Sequence, residues 1–391
     1  MTIFHLNDTI TAVVNLSRRY IVKNLISFLK KEVVLTISGI LAIASCFLVR
    51  PDAQYAGYID WHTILILFCL MAVMCGFKDI GLFQFTGESL LKKIQSSRGV
   101  VSVLVFLCFF SSMFITNDVA LITFVPLALL ILNMAKMNDS LCYIMTLMTI
   151  AANLGSMLTP IGNPQNLYLY STSGLSLGNF IMLMLPYTII AAVLLLVCIF
   201  ARFKKSDVQV ELGNANNEMN VKRIVYYGIL FAACLLAVAK ICPIGILFGI
   251  VLIAVIIDNR KLLLHIDYSL LLTFIFFFIF IGNMGRFPAF RDFLAGILEG
   301  RVTLVAVLSS QIISNVPAAL LLSGFTNDWN SLIIGTNLGG LGTLIASMAS
   351  LISYKQLAAN HPNAKGKYMA VFTIANIAFL VVLYGAYMLL V

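Results

Sequence analysis

Charged side chains are scarce in this chain, making up 10% of its 391 residues, whereas 61% of the residues are hydrophobic. A soluble domain of this length could not bury so much apolar surface, so the composition excludes a soluble globular protein and predicts a polytopic membrane protein. The eight cysteines lie in or beside apolar segments without metal-like C-x-x-C spacing, so neither a zinc cluster nor a disulfide framework is expected. The chain also lacks H-E-x-x-H and G-K-[ST] motifs, so no metalloprotease or ATP-driven pump is supported and no enzyme is expected.

The charge that is present has one dominant sign. The formal net charge is +9, and the lysines and arginines fall in short loops between apolar runs. This distribution favours cytoplasmic loop charge over a nucleic-acid surface, so no nucleic-acid partner is expected. With the N-terminus in the cytoplasm, twenty of the 25 basic residues lie on the cytoplasmic side. The count predicts a multi-pass protein of the inner (plasma) membrane with a cytoplasmic N-terminus and an extracytoplasmic C-terminus.

Apolar runs alternate with short polar segments from residue 33 onward. They cover about 33–49, 59–77, 99–115, 119–135, 140–158, 176–200, 224–240, 241–257, 265–283, 301–313, 317–325, 331–353 and 367–391. Two neighbouring pairs are too short for the roughly 20 residues of a full span, and a polar tripeptide interrupts each pair. These pairs predict re-entrant helical hairpins at 99–135 and 301–325, which leaves about nine full spans in an all-α polytopic membrane protein.

The same pattern predicts the domain organisation. Residues 1–32 mix apolar and basic side chains and predict an N-terminal interfacial amphipathic helix, with a solvated leader as the alternative. Repeat 1 covers 33–200 and repeat 2 covers 224–391. The polar, charged segment 201–223 is predicted to be a cytoplasmic linker between the two repeats.

Two short stretches about 184 residues apart are near-copies of each other: Asn153–Ile161 and Asn337–Ile345 agree at five of nine positions. Asn, Ser, Thr and helix-breaking Gly or Pro are costly at membrane depth, because unsatisfied polar groups there have lost their water. The same costly cluster occurring twice predicts a transporter built from two repeats, with its site between them.

The order of parts around each copy predicts that the repeats are inverted. Asp60-Trp61 opens a span that runs from outside to inside, and Asp267-Tyr268 opens one that runs from inside to outside. An amphipathic stretch and then a hairpin follow each of these spans. Inverted repeats give two related conformations open to opposite sides, which is the basis of alternating access.

The hairpin tips are the first candidate site. The first tip reads Thr116-Asn117-Asp118, and Asp118 is the only carboxylate within the predicted apolar depth of either hairpin. A buried charge needs a cation, a proton or a donor beside it, so we interpret Asp118 as a coupling site for Na⁺ or H⁺. The alternative is a carboxylate that caps the hairpin. In the second tip, Ser314-Asn315-Val316, Asn315 either donates to substrate or satisfies the backbone of the broken helix.

The near-copies are the second candidate site. Residues 159–166 contain two prolines, one glycine and three amides, so they cannot continue a helix. Broken backbone at membrane depth is tolerated where it lines a cavity, and the freed carbonyls suit Na⁺. The counterpart at 335–347 is rich in glycine but lacks proline, so a bend rather than a full interruption is expected. A simple packing turn is the alternative for both stretches.

These two features define the predicted site. The predicted substrate contacts are Thr116, Asn117, Asp118, Gly162, Asn163, Ser314, Asn315, Asn337 and Thr343. The predicted ion-coupling residues are Asp118, Asn153, Thr159, Gly162 and Asn166, and a Na⁺ ion would contact Asn117, Asp118 and Gly162. No cofactor is expected beyond Na⁺ or H⁺ as the coupling ion.

These motifs resemble the ion transporter superfamily that contains the divalent anion/sodium symporters, citrate permeases, arsenite efflux permeases and one type of Na⁺/H⁺ antiporter. The likeness covers about 33–391 and is carried by 116–117, 314–315, Asn153–Asn166 and 335–347. In the dicarboxylate branch each tip reads Ser-Asn-Thr and its Ser and Asn hold substrate carboxylate, whereas the third tip position here is Asp118 or Val316. The run Pro160–Asn166 looks closest to the arsenite-permease-like and anion-permease branch.

The resemblance implies a transport domain that moves as an elevator against a dimeric scaffold, and hence a homodimer in the lipid bilayer. Together with the residues, it predicts a secondary active transporter that moves a small inorganic or organic anion, coupled to H⁺ or Na⁺. The alternatives are a Na⁺/H⁺ antiporter with Asp118 as the shared site and an arsenite/antimonite efflux permease.

Overall fold

The computed structural model describes residues 32–91, 94, 96–207 and 219–390. Within these residues the regular secondary structure is helical, apart from a single isolated bridge between Ser96 and Asp207. The prediction of an all-α fold is confirmed. The predicted amphipathic helix at 1–32 and the middle of the predicted linker at 201–223 lie outside the described residues.

Eighteen α-helices can be traced in the described ranges, and short 3₁₀ turns connect some of them. They are α1 Val33–Leu48, α2 Tyr55–Tyr58, α3 Trp61–Asp79, α4 Leu82–Leu91, α5 Ser97–Ser111, α6 Asn117–Met134, α7 Leu141–Gly155, α8 Pro164–Ser173, α9 Leu177–Arg202, α10 Val221–Val238, α11 Ile244–Asn259, α12 Tyr268–Gly285, α13 Pro288–Leu298, α14 Val302–Ile313, α15 Asn315–Ser323, α16 Trp329–Leu338, α17 Met348–Asn360 and α18 Lys365–Leu390.

The number of full spans differs from the predicted nine. By length and composition, seven helices of the described part could cross a membrane, or eight if the bent pair α13 and α14 is counted as one span. Helices α1 and α11 have only 16 residues each, and the predicted run 331–353 is interrupted between α16 and α17. Helix α6, predicted to be half of a hairpin, has 18 residues and is long enough to span. Nine spans are therefore not confirmed.

Among the described residues, the first compact unit contains 32–59 together with Asp267–Phe287, and in it α1 packs along α12. Asp267 caps the start of α12, because its carboxylate accepts a hydrogen bond from the Leu270 amide at 2.9 Å. At the other end of α12, the Arg286 guanidinium lies 2.8 Å from Asp52 and lowers the pKa of that carboxyl below its ordinary value. Arg286 also donates to the Tyr58 hydroxyl at 3.0 Å.

The second unit comprises Asp60–Ile266 and Pro288–Val391. Its first helix, α3, is capped by Asp60, which accepts from the Thr63 amide at 3.1 Å, and it packs against α10 and α11. At the end of α3, Arg223 bridges two carboxylates, lying 2.9 Å from Asp79 and 2.6 Å from Asp258. This ion-pair cluster ties α3, α10 and α11 together.

Helix α7 forms the centre of the second unit. Of its 15 residues only Tyr143 is not buried, so this helix packs on every side. It contacts both arms of the first hairpin, α5 and α6, and also α9, α17 and α18. Its C-terminal end, which carries Asn153, is consequently held inside the unit rather than at a surface.

Candidate functional site

The first hairpin turns at 112–116, between the end of α5 and the start of α6. Asn117 is buried, and its side chain has two partners: Nδ2 donates to Asn153 Oδ1 at 2.9 Å, and Oδ1 accepts from the Asp118 amide at 3.0 Å. Asn117 therefore bonds both the first turn of α6 and the first near-copy. Asp118 is half-buried in the first turn of α6, where the partial positive charge of the helix N-terminus favours a carboxylate.

The second hairpin turns on a single residue, Ser314, between α14 and α15. Ser314 has a φ of +75°, a conformation that favours glycine, so surrounding contacts must hold it there. Its neighbour Asn315 donates its main-chain amide to the Ala346 carbonyl at 2.9 Å, and the Ser314 hydroxyl donates to the same oxygen at 3.4 Å. Ser314 and Asn315 are both buried, so the tip is anchored on the second broken segment.

The first broken segment follows α7 as two 3₁₀ turns, Ser156–Leu158 and Pro160–Gly162, and ends at Pro164 where α8 begins. The Thr159 hydroxyl donates to the Met113 carbonyl of the first hairpin. Asn166 Nδ2 lies 3.3 Å from the carbonyl oxygens of Ser156 and Thr159. The predicted interruption of the helix is present, and one amide partly satisfies the carbonyls that it frees.

The second broken segment differs from the bend that the sequence predicts. Helix α16 ends at Leu338, α17 begins at Met348, and residues 339–347 are not helical, so the chain is interrupted rather than bent. This interruption is held by a long-range contact with Gln311 of α14. Its Nε2 donates to the carbonyls of Gly339 at 3.0 Å and Leu341 at 2.9 Å, and its Oε1 accepts from the Thr343 amide at 2.9 Å. Thr343 itself is exposed and bonds the Gln311 carbonyl.

A buried junction joins the first tip and both broken segments through Asn153. Its Oδ1 accepts from Asn117 and, at 3.1 Å, from the Ser347 hydroxyl. Its Nδ2 lies 3.3 Å from Ser350 Oγ and 3.4 Å from the Gly340 carbonyl. A second amide link crosses the same region, since Asn337 Nδ2 donates to Asn166 Oδ1 at 2.7 Å. Asn153 and Asn337, the first residues of the two near-copies, thus each bond a residue in the other half of the chain.

Two acceptors of this region have no donor. The side-chain oxygens of Asn163 and Asn337 are buried without a hydrogen-bond partner among the described residues. A buried carbonyl oxygen without a partner is costly, so each is an acceptor that a bound cation or a donor group of a solute could satisfy. Gly162, predicted as a further contact, packs so closely on the Ser156 main chain that a Cβ could not be accommodated.

Helix ends of both polarities surround the junction. Helices α6, α8, α15 and α17 begin at a tip or after a break, whereas α5, α7, α14 and α16 end there. Helix N-termini favour anions and helix C-termini favour cations, so the arrangement suits a solute of either sign together with a counter-ion. Broken helices whose ends meet at a buried polar site are the architecture of a membrane transporter.

Sequence reasoning missed three residues of this arrangement, namely Gln311, Ser347 and Ser350. Gln311 ends the polar run Ser309-Ser310-Gln311 within a largely apolar hairpin arm, and that run is a usable signal. Ser347 immediately precedes α17 and Ser350 lies in its first turn, but nothing local indicates that this end of the helix meets Asn153.

The chain belongs to the citrate transporter family, whose model matches residues 21–326. It is 35% identical over 329 residues to an uncharacterised transporter of Methanocaldococcus jannaschii, covering 83% of this chain and 88% of that protein. It is 32% identical over 316 residues to the inner membrane protein YbiR of Escherichia coli, covering 80% and 84%. It is 30% identical over 138 residues to the silicon efflux transporter LSI3 of rice, Oryza sativa subsp. japonica, covering 35% and 28%. The protein is a multi-pass membrane transporter and not an enzyme, and the predicted superfamily is confirmed.

Proposed function

We propose that this protein moves a small inorganic or organic anion across the membrane, coupled to H⁺ or Na⁺. The observation that carries the proposal is the junction centred on Asn153. The segments that form it, 112–118, 153–166, 311–315 and 337–350, contain neither lysine, arginine nor histidine, and Asp118 is their one acidic residue. Amides, hydroxyls and main-chain N–H groups are the available donors, and a single carboxylate is available to carry the coupling charge.

In this proposal the anion lies between the tips and is oriented by Asn117, Ser314 and Asn315. Two of these side chains already donate within the protein, Asn117 to Asn153 and Ser314 to Ala346. Binding would exchange internal hydrogen bonds for bonds to the solute, an exchange that costs little net free energy. The N-termini of α6 and α15 would add two helix-dipole contributions that favour negative charge.

Coupling is assigned to Asp118 together with the first broken segment. A carboxylate at this depth is stabilised when a proton or a Na⁺ ion joins it. Oxygen ligands suit Na⁺, and the partnerless Asn163 oxygen and the Ser156 and Thr159 carbonyls are candidates. A Na⁺/H⁺ antiporter would use the same carboxylate, and the flux experiment below distinguishes the two.

We further propose that the repeats are inverted and that the protein works by elevator-type alternating access as a homodimer, with the N-terminus in the cytoplasm. Support comes from the order of elements, since α3 to α9 is repeated by α12 to α18. Labelling tests the sidedness: a cysteine at Asn327 should react with an impermeant reagent from outside and one at Asp139 from the cytoplasm. Reaction of both from one face would contradict the inverted arrangement.

A second candidate function is efflux of a weak metalloid oxyacid. The rice relative is named a silicon efflux transporter, and the uncharged donors of the junction suit a neutral hydroxyl-bearing acid as well as an anion. A neutral substrate would be transported without charge movement unless an ion accompanies it.

Flux into proteoliposomes tests these proposals. Uptake of radiolabelled citrate, phosphate, arsenite and silicic acid is measured with an imposed pH or Na⁺ gradient, and proton movement is followed with an internal dye. Gradient-driven accumulation of an anion is the expected result. Na⁺-driven proton movement without any solute would instead indicate an antiporter, and transport of silicic acid or arsenite alone would favour the second candidate.

A further inference from the structure

A cavity of about 480 Å³ lies where four helix ends of the second unit meet, away from the junction. Helix α3 begins at this cavity, α8 and α10 end beside it, and α11 starts from its edge. The residues that line it are His62, Ser171, Lys240, Ile241, Cys242, Pro243 and Ile244. Its floor is apolar, and its polar groups are a lysine, a histidine and a serine.

Lys240 adopts a backbone conformation that glycine would occupy more easily. It follows the end of α10 with a φ of +63°, in a turn where the Ile241 amide donates back to the Leu236 carbonyl at 2.9 Å. Glycine is usual at this position of a helix C-terminus, because it avoids the steric conflict of a left-handed conformation. This turn places the Lys240 side chain beside the end of α8, where its ammonium group contacts Ser171.

The ammonium group neutralises a helix end that would otherwise repel an anion. Lys240 Nζ lies 3.5 Å from the Ser171 carbonyl, in the last turn of α8, and 5.7 Å from the centre of the Tyr170 ring. The carbonyls at a helix C-terminus carry partial negative charge, which the lysine offsets. An ammonium has three N–H donors, and Ser171 takes one of them at the limit of hydrogen-bond distance, so donors remain for a ligand.

His62 and Ser171 supply one more donor whichever way their own hydrogen bond runs. The Ser171 hydroxyl lies 3.3 Å from His62 Nδ1. If the hydroxyl donates, the neutral imidazole keeps its N–H on Nε2, and if Nδ1 donates, the hydroxyl keeps its own hydrogen. The carboxylate of Asp60 accepts from the Thr63 amide and hydroxyl, and these bonds hold it at the N-terminus of α3.

We propose that this cavity binds an oxyanion group, with Lys240, Ser171 and His62 as donors and the apolar floor against the rest of the ligand. The group belongs either to a small acid from solution or to the phosphate of a lipid head group, since both present the same acceptor oxygens. Helix α8 links the cavity to the junction: its ten residues run from the first broken segment to Ser173, roughly 15 Å at the rise of an α-helix. A ligand here would lie at the far end of the helix that starts in the transport site.

Cys242 is a built-in reporter, because it lines the cavity and is partly exposed. The detergent-solubilised protein is reacted with an anionic sulfonatoethyl and a cationic trimethylammonioethyl methanethiosulfonate, and labelling of the Cys242 peptide is timed by mass spectrometry. Lys240→Gln should lower the ratio of the anionic to the cationic rate about three- to fivefold, as expected for removing one charge a few ångströms away in water. Arg301→Gln, which removes a positive charge outside the cavity, should leave the ratio unchanged.

Protection of Cys242 tests binding itself. Inorganic phosphate at constant ionic strength should slow labelling of the wild-type protein and of Lys240→Arg, but not of Lys240→Gln. Lys240→Gly is the decisive variant: it relieves the strained backbone, so it should fold at least as well, and it should still lose protection. Mixed micelles with phosphatidylglycerol, without phosphate, show whether a lipid head group is the source. No protection by either ligand, or equal protection in Lys240→Gly, would overturn the proposal. Neither result would bear on the transport site proposed at the junction.

Discussion

The first broken segment of the junction is stabilised by residues of its own stretch, whereas the second is held by hydrogen bonds to the neighbouring hairpin. Between α7 and α8 the chain contains Pro160 and Pro164, forms two 3₁₀ turns, and has its freed carbonyls bridged by Asn166. Residues 339–347 contain no proline, and three hydrogen bonds from the side chain of Gln311 fix them instead. The first segment should therefore keep its shape when its hairpin moves, whereas the second should follow α14.

The two halves nevertheless share one packing detail. A serine five residues before each tip asparagine lies against the glycine of each near-copy. A Cβ built on Gly155 would lie 2.6 Å from Ser112 Oγ, and one on Gly339 would lie 2.5 Å from Ser310 Oγ. In both halves the hairpin therefore approaches the broken helix in the same way. The halves differ in the charge of the hairpin tip and in the contacts that hold each broken segment. Because only the first hairpin tip carries a carboxylate, one coupling charge per chain is expected.

The largest effect is expected at that carboxylate. Asp118→Asn keeps the size of the side chain but removes its charge, so it should reduce gradient-driven transport about a hundredfold or more, roughly 2.7 kcal/mol. Exchange of substrate without a gradient should survive, because a neutral amide no longer needs an accompanying cation. Flux in proteoliposomes with and without a pH or Na⁺ gradient measures both quantities.

Asp139→Asn serves as the matched control for this variant. Asp139 is exposed in the loop after α6, so its replacement should leave coupling unchanged. If Asp118→Asn transports against a gradient with unaltered ion dependence, Asp118 is only a cap of α6. Coupling would then belong to the oxygens of the first broken segment.

How much of this arrangement the sequence predicts can be judged at single residues. Asn117 is predicted at a hairpin tip because a polar cluster stands out against an apolar background, and Asn153 is predicted in the site because its stretch occurs twice. Two prolines and a glycine predict the interruption at 159–166. At 339–347 the sequence predicts only a bend, and the bonds with Gln311 that hold the interruption span about 30 residues of sequence. No local pattern carries such a contact.

The span count failed for a related physical reason. Apolar length alone does not show whether a run is one helix or two, and the run 331–353 was counted as one span. The approach of Ser347 and Ser350 to Asn153 depends on α17 packing against α7, which only the fold specifies.

The next largest effect concerns the paired tip amides. Asn117→Ala and Asn315→Ala should each leave a folded protein and weaken transport at least about tenfold, equivalent to about 1.4 kcal/mol of lost binding or transition-state stabilisation. Asn117→Ala should also lower thermal stability more than Asn315→Ala, because it leaves Asn153 Oδ1 without one of its donors. Asn138→Ala, in an exposed loop, is the control. Normal flux in both tip variants would mean that these asparagines only cap helices.

Gln311→Leu separates the two broken segments directly. Losing the side chain frees the carbonyls of Gly339 and Leu341, so amide hydrogen exchange should rise about tenfold or more across 339–346 and stay unchanged across 156–163. Transport should fall about three- to tenfold, because the variant makes the second broken segment more mobile but removes no contact to the substrate. Gln84→Leu on the exposed side of α4 is the control. Equal loosening of both segments would show that the first is not self-supporting.

The smallest effect is expected at Gly340. A Cβ there would lie 3.0 Å from Asn315 Nδ2, the end of a flexible side chain that can shift by a few tenths of an ångström. Gly340→Ala should therefore reduce apparent substrate affinity only about two- to threefold, the scale of a mild rotamer strain, with little change in maximal rate. Gly366→Ala, with open space around the added methyl group, should have no effect. At Gly162 the added atom would meet main-chain atoms of Ser156 that cannot yield, so Gly162→Ala should be worse tolerated. Equal damage at both glycines would mean that the second segment is as rigid as the first.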